Sequence, residues 1–343
     1  MREGGRTALL RLGANESAFG PSPAAVAAME AELPRLCWYG DPESYDVREL
    51  LARKHGCAIE QISVGSGIDD LMGLAVRSFV APGDCVLTTR GTYPTFIYHA
   101  KGFGGSVESV PYRADGMVDV DAMIGRARAL RPAIVYLANP DNPSGTLLPG
   151  SEVLRLYEQL PKRTLLFLDE AYADFVEDGE LASAPISERL MRARTFSKVY
   201  GLAGARIGYV ITAETNVRAF QKIRLHYGVN RNAQIGAVAS LRDVAFPKRA
   251  AQWFARGREA YYDIARSLGL PYLESRANFV CFDLGSERRA TAVMNELLVR
   301  GVFVRKPHAP PLDGFVRVSV GTPEERAEFH DRFKAVLSVV NKA

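Results

Sequence analysis

The sequence predicts an α/β protein: a mostly parallel sheet flanked by helices, with a smaller α+β region behind it. Three observations carry this. From about residue 60 to 240, short apolar runs alternate with amphipathic segments, the order of a sheet whose strands are joined by helices. The runs are continuous rather than alternating, as in strands covered on both faces. Polar residues follow directly on the runs, and the C-terminal edge of a parallel sheet is where such folds bind ligands.

Taken in order, "QISVGSG" reads as a strand entering a glycine loop and "DDLMGLAVRSFV" as the helix after it, with Leu71, Leu74, Ala75 and Phe79 at helical spacing. Further strands are expected at "CVLTT" (85–89), "AIVYLA" (133–138), "TLLFLD" (164–169), "ARTFS" (193–197) and "ARIGYVI" (205–211). Beyond residue 245 a long helix, "PKRAAQWFARGREAYYDIARSLG", leads into the short strands "NFVCFDL", "GVFVR" and "FVRVSV". The last helix starts with Thr322 as N-cap, Pro323 behind it and Glu325 completing a capping box, and its apolar face is Phe329, Phe333, Val336 and Leu337. At 343 residues the chain exceeds the size at which a single core stops growing, so two lobes are expected. Residues 40–245 form the large one, and residues 1–39 with 246–343 the small one.

Composition excludes several classes. The net charge of +4 comes from 43 basic and 39 acidic residues with no basic run, which argues against a nucleic-acid partner. The N-terminus has no signal-like apolar core and no stretch is long and apolar enough for a membrane span, so a cytoplasmic protein without membrane contact is expected. Cys37, Cys57, Cys85 and Cys281 are far apart and read as free thiols of a reducing compartment. The five histidines show no ligand spacing, so no metal is expected, and no nucleophile elbow is present.

Five places can carry chemistry. "GSGIDD" (65–70) has Asp70 where a dinucleotide fingerprint needs its third glycine. It reads better as an anion site, in which Gly67 is followed by the N–H groups of Ile68 and Asp69 at a helix start. A strand–helix turn capped by Asp69 or Asp70 is the alternative. "NPDNPSG" (139–145) is stiff enough to aim Asn142 at a ligand, or is a surface turn. Asp169 ends an apolar strand, where a carboxylate is costly to bury without a cation; otherwise it caps the next helix. Arg317 shares a strand face with Phe315 and Ser319 and can fork onto a carboxylate, or reach solvent from an edge strand. In "TFSKVYGLAGAR" (195–206), Lys198 stands after the hydroxyls of Thr195 and Ser197 and ahead of Arg206. That setting suits a lysine that works unprotonated beside a bound anion. Gly201 and Gly204 are expected to turn the chain so that Arg206 comes back.

In order along the chain, "GSGIDD", "TYPTF", "NPDNPSG", "DEAY", "TFSKVYGLAGARIGY" and "VRVSVGTPEE" resemble the fold-type I pyridoxal-phosphate aminotransferases of classes I and II, nearest the histidinol-phosphate aminotransferase family. The resemblance runs from "LGANESAFGPSP" to the final helix. It implies pyridoxal 5'-phosphate as cofactor, an amino donor and 2-oxoglutarate as small-molecule substrates, and a homodimer. Lys198 would carry the cofactor on its amine and then move the reacting proton, which requires a lowered pKa. Asp169 would pair with the pyridinium nitrogen, Asn142 and Tyr172 would bond the 3-oxygen, and Tyr93 would stack on the ring. Gly67, Ile68, Asp69, Thr195, Ser197 and Arg206 would hold the phosphate, joined by Tyr39 of the second subunit. Arg317 would clamp the substrate carboxylate, with Asn15 and Arg305 nearby. Arg305 also reads as a surface arginine.

Three positions depart from the resembled pattern: Ile68 stands where a small residue is usual, Gly40 follows Tyr39 in place of proline, and "NESAFG" has Ser17 and Ala18 where an aromatic and proline occur. Histidinol phosphate is the first expected donor. An aromatic or other amino acid on the same scaffold, a threonine-phosphate type decarboxylase, and a non-catalytic pyridoxal-phosphate regulator are the alternatives. A nicotinamide-dependent dehydrogenase is disfavoured by the broken glycine fingerprint.

Overall fold

The computed structural model describes residues 2–3, 6–7, 9–177 and 179–341; Met1, Gly4, Gly5, Ala8, Lys342 and Ala343, which belong to the expected small lobe, and Asp178 lie outside the described residues. Its centre is a seven-stranded sheet. With β1 at Leu10–Arg11, its strands are β2 Ile62–Gly65, β3 Cys85–Thr89, β4 Ser106–Val110, β5 Ile134–Ala138, β6 Leu165–Asp169, β7 Leu190–Thr195 and β8 Gly208–Ile211. The spatial order is β2-β8-β7-β6-β5-β3-β4. Strands β2, β5, β6 and β8 are buried along their whole length, as continuous apolar runs require.

Alternate side chains of the central strands face two cores. Tyr136 and Phe167 pack with Phe96 and with Leu71, Leu74 and Ala75 of the helix Ile68–Phe79. Leu137, Leu166 and Leu168 pack on the opposite face with Met123, Ile124 and Leu156 from the helices Val120–Leu130 and Gly150–Gln159.

Two features of the sheet depart from expectation. Strand β4, "SVESV", lies outside the expected strands: it is at the sheet edge, only its last residue is buried, and Val107 and Val110 are its only apolar residues. Strand β8 is antiparallel to both β2 and β7 rather than parallel. The connection from Thr195 to Gly208 is too short and irregular for a helical crossover, so the chain doubles back beside the strand it left. The expected strand 193–197 therefore ends at Thr195, and the strand expected from residue 205 starts only at Gly208.

Behind this sheet, β9 Tyr272–Leu273, β10 Phe279–Asp283 and β12 Phe315–Ser319 form an antiparallel sheet in the order β9-β10-β12. The helices Phe246–Ser267 and Pro323–Val340 pack on it through Tyr261, Phe282, Phe329 and Phe333. The capping box at Thr322 and Glu325 is formed. The N-terminal segment joins this region: β1 pairs in parallel with β11, Val302–Phe303, and the Ser319 N–H donates to the Leu12 carbonyl at 2.7 Å.

The loop between β7 and β8 turns at Gly201, whose φ is +70°. A Cβ there would run into the Gly20 carbonyl. Gly204 does not share this role, since its φ is not positive and the space around it is open. Arg206 itself takes the left-handed conformation at φ +57° and completes the return. Gly201→Ala should therefore lower unfolding stability by at least ~2 kcal/mol through backbone strain and the clash with Gly20, while Gly204→Ala should be near neutral; urea denaturation of both variants checks this pair.

Candidate active site

Strands β5, β6 and β7 run side by side in parallel, with Ala138 opposite Asp169 and Asp169 opposite Ala193. Their C-terminal ends therefore deliver Asn142, Asp169 and Lys198 to one edge of the sheet. The loops after β2 and β3 add Ile68, Asp69 and Tyr93, and together these residues line a cavity of about 250 Å³. Tyr172, Thr195, Ser197 and Arg206 also line it, as does Glu16. Gly67, Asn15 and Arg317 stand directly behind it, in contact with Arg206, Lys198 and Asn142 respectively.

Asp169 is buried at the end of β6. Its carboxylate accepts the Tyr136 hydroxyl at 2.7 Å and the Ala171 N–H at 3.0 Å, so the expected helix-cap role is only partly taken. Burial pushes this carboxyl up to about 6, and these hydrogen bonds offset only part of that. A cationic N–H donor in the cavity would supply the counter-charge the carboxylate lacks.

The Lys198 amine donates to the Asn15 carbonyl at 3.1 Å and stands 5.7 Å from the centre of the Tyr172 ring. Burial first, and then the Arg317 guanidinium, push it down to about 8, against the pull of Asp169. At pH 7 roughly a tenth of such an amine is unprotonated, against well under a thousandth for an ordinary lysine. This is the condition a nucleophilic lysine needs.

At the other end of the cavity, anion donors converge. The helix Ile68–Phe79 opens there behind Gly67, whose φ is +85°. A Cβ on Gly67 would lie 2.6 Å from Arg206 Nη2, so only glycine admits the guanidinium. Asp70 braces the turn by accepting the Ser66 N–H at 3.0 Å, whereas Asp69 pairs with Arg206 at 3.2 Å. Both side chains of that pair are more than a third exposed, so it is weak and open to exchange for a bound anion. Thr195 Oγ1 and Ser197 Oγ lie 2.9 Å apart at the same end.

Tyr93 forms one wall, its hydroxyl pushed up to about 12 by burial. Opposite, Arg317 donates from Nη1 to Asn142 Oδ1 at 2.5 Å and from Nη2 to the Gly13 carbonyl at 3.0 Å. It points inward rather than to solvent, and its buried Nε has no protein partner. The Tyr172 hydroxyl accepts from Asn15 Nδ2 at 2.9 Å.

Two expected residues are not brought to this cavity. Arg305 is exposed and lies over the Phe303 ring at 4.8 Å, although its backbone pairs with Arg317. Tyr39 is 75% exposed and stacks on Tyr227, with ring centres 4.3 Å apart.

Other residues shape the site without having been foreseen. Asp141 is buried and accepts the Ser144 N–H and hydroxyl and the Tyr112 hydroxyl, which makes the Asn142 loop a packed element rather than a surface turn. His99 Nε2 meets the Asp69 carbonyl at 2.9 Å. Tyr136 lies within β5, Asn278 just before β10 and Ser319 at the end of β12, where the one local signal is a polar group beside apolar neighbours.

A buried lysine amine held down to about 8, a buried carboxylate and converging anion donors line one small cavity at the C-terminal edge of an α/β sheet, a setting suited to an enzyme. The chain belongs to the class I and II aminotransferases, whose family model matches residues 7–333. A histidinol-phosphate aminotransferase of Moorella thermoacetica is 33% identical over 98% of this chain and 88% of its own length. Histidinol-phosphate aminotransferase 2 of Ralstonia nicotianae is 36% identical over 93% and 86%. Among solved structures, the histidinol-phosphate aminotransferase of Sinorhizobium meliloti, in complex with pyridoxal-5'-phosphate, superposes with a TM-score of 0.95 at 38% identity, covering 98% of this chain and 93% of that one. An aspartate aminotransferase of Thermus thermophilus at 23% identity and TM-score 0.82 shares the fold, that of fold-type I.

The raised carboxyl of Asp169 has a consequence for stability. Between its ordinary value near 3.8 and about 6, the folded cofactor-free chain binds a proton that the unfolded chain does not, so this group's penalty is relieved as pH falls through 6 and is fully present above it. Asp169→Asn should therefore stabilise the cofactor-free protein at pH 7.5 by on the order of 2 kcal/mol, and progressively less toward pH 4.5; urea midpoints of both proteins across that range measure the difference.

Proposed function

We propose that this enzyme transfers the amino group of histidinol phosphate to 2-oxoglutarate, using pyridoxal 5'-phosphate. The observation that carries the cofactor is Lys198: a lysine amine at about 8 faces a cavity with an unneutralised buried carboxylate at one end and anion donors at the other. These ends match the pyridinium nitrogen and the phosphate of one molecule. Bound there, the cofactor supplies an electron sink for the carbanion left when a proton leaves the substrate's Cα.

The protein's own residues do the rest. Lys198 would hold the cofactor through its amine and would serve as the base that takes and returns the proton at the substrate's Cα. Asp169 would pair with the ring N–H and keep that nitrogen cationic. Asn142 and Tyr172 would bond the ring's 3-oxygen, and Tyr93 would stack on its face. The N–H groups of Ile68 and Asp69, the hydroxyls of Thr195 and Ser197, and Arg206 hold the phosphate, with Gly67 leaving room for the guanidinium. Arg317 would receive the carboxylate of the 2-oxo acid from its place beside Asn142, while Asn15 fixes Tyr172. Residues 40–245 act as the cofactor lobe, and 1–39 with 246–343 as the lobe that closes the substrate side.

The donor assignment rests on the histidinol-phosphate aminotransferases that resemble the chain over nearly its full length. We place the reaction in the cytoplasm, in keeping with a biosynthetic role; no helix among the described residues is long and apolar enough to cross a membrane. We also infer a homodimer. Tyr39 is turned away from its own cavity and lies among exposed Leu36, Trp38, Leu225 and Tyr227, an apolar surface suited to a second copy whose cofactor phosphate Tyr39 would reach.

Mixed singly with the holoenzyme, histidinol phosphate should discharge the yellow colour of the bound cofactor at least ~10-fold faster than phenylalanine or phosphothreonine. Faster discharge by phenylalanine would overturn the donor assignment, and colour retained with release of carbon dioxide from phosphothreonine would overturn transamination. Complementation tests the shared site: Lys198→Ala and Tyr39→Ala chains, each nearly inactive alone, should regain about a quarter of wild-type turnover when refolded together, because one heterodimer site has both residues intact. No gain on mixing would place Tyr39 outside the partner's site.

A further inference from the structure

The Lys198 amine rests against main chain, not side chain: its acceptor is the carbonyl of Asn15. That carbonyl belongs to a segment in an uncommon conformation. Asn15 has φ +54°, its N–H donates to Ser319 Oγ at 2.9 Å, and its side chain reaches the Tyr172 hydroxyl. Besides Ser319, whose hydroxyl also donates to Asn15 Oδ1 at 3.2 Å, a second residue from the far end of the chain holds this turn. Asn278 donates from Nδ2 to the carbonyls of both Asn15, at 3.0 Å, and Glu16, at 3.2 Å.

Asn278 is fully buried, and its main-chain carbonyl accepts the Val320 N–H at 2.8 Å. Its side-chain oxygen, also buried, has no hydrogen-bond partner. An orphaned buried acceptor is costly, so what an asparagine contributes here over an apolar residue is its pair of N–H donors. Both are spent on the segment that roofs the lysine.

We propose that Asn278 is a positioning residue for the reaction: its amide N–H groups fix the Asn15–Glu16 main chain where that segment meets the Lys198 amine and the Tyr172 hydroxyl. The inference rests on reading Lys198 as the cofactor lysine. Its consequence follows from the shared carbonyl. Without Asn278, the Asn15 oxygen is left wholly to Lys198, and the loosened roof admits water; both favour the ammonium form. The charged and titratable groups around Lys198 are otherwise unchanged: Arg317 on β12, Asp169 on β6, Arg206 before β8, Asp69 on the helix Ile68–Phe79, and Tyr172 after β6.

The test uses the full-length chain stripped of cofactor. Capture of added pyridoxal phosphate is followed by its visible band at a series of pH values, with thermal unfolding as a check of the fold. Wild-type capture should rise with a midpoint near 8, where Lys198 loses its proton. Asn278→Ala should move the midpoint up by about 0.5 to 1 pH unit, slowing capture at pH 7 roughly three- to tenfold. Asn278→Ser, which keeps one donor, should shift it less and serves where the alanine variant is too unstable. Folded variants with the wild-type midpoint and only a lower melting temperature would overturn the proposal, leaving Asn278 a packing residue. A wild-type chain that never develops the band would instead overturn the cofactor reading, and the proposal with it.

Discussion

Burial of a base and an acid in one small cavity is the constraint that the rest of this structure serves. Desolvation drives Lys198 down to about 8 and Asp169 up to about 6, each toward its neutral form. Direct attraction between them works against both shifts, and it is the weaker influence on each. Arg317 and Arg206 add positive charge on the lysine's side and hold the amine down. Tyr136 and the Ala171 N–H support the carboxylate without neutralising it. The protein thus keeps one group ready to react and the other ready for a cation, which is electrostatic preorganisation set up before any ligand arrives.

The sheet makes this arrangement possible through register. Strands β5, β6 and β7 are locked by side chains that alternate between two apolar cores, and a slip of one residue would turn Tyr136 and Phe167 into the wrong core. That lock fixes Asp169 opposite Ala138 and Ala193. The reversal of β8 does the rest. Because it runs antiparallel, its first residue, Gly208, pairs with Gly65 at the end of β2, and Arg206 arrives over Gly67. A parallel β8 would have begun at the opposite edge and carried the arginine away from the helix N-terminus that it joins.

Much of the site was legible because its residues follow apolar strands directly: Asp169, Asn142, Lys198 and the Gly67 loop are each tied to a strand end by local sequence. The fold class was legible for the same reason, since fully buried strands leave unbroken apolar runs. What escaped was of two kinds. Strand β4 sits at an edge, where one covered face leaves little apolar signal, and the direction of β8 depends on how a short irregular loop closes. The second kind is contact between distant parts of the chain. Asn278 and Ser319 act on Asn15, and Tyr136 acts on Asp169, through hydrogen bonds that no local pattern announces.

Those distant contacts tie the antiparallel sheet behind the cavity to the candidate site. Strand β12 turns Val316 and Val318 into the core, so Arg317 and Ser319 necessarily share the other face. Arg317 meets Asn142 at the substrate side, and Ser319 meets Asn15, whose carbonyl holds the Lys198 amine. Adjacent β10 brings Asn278 to that same carbonyl. A displacement of this sheet therefore cannot move Arg317 without also bearing on the lysine's acceptor. On the roles proposed above, a substrate acid at Arg317 and the Lys198 amine would both bear on this one strand, through Arg317 and Ser319, two residues apart.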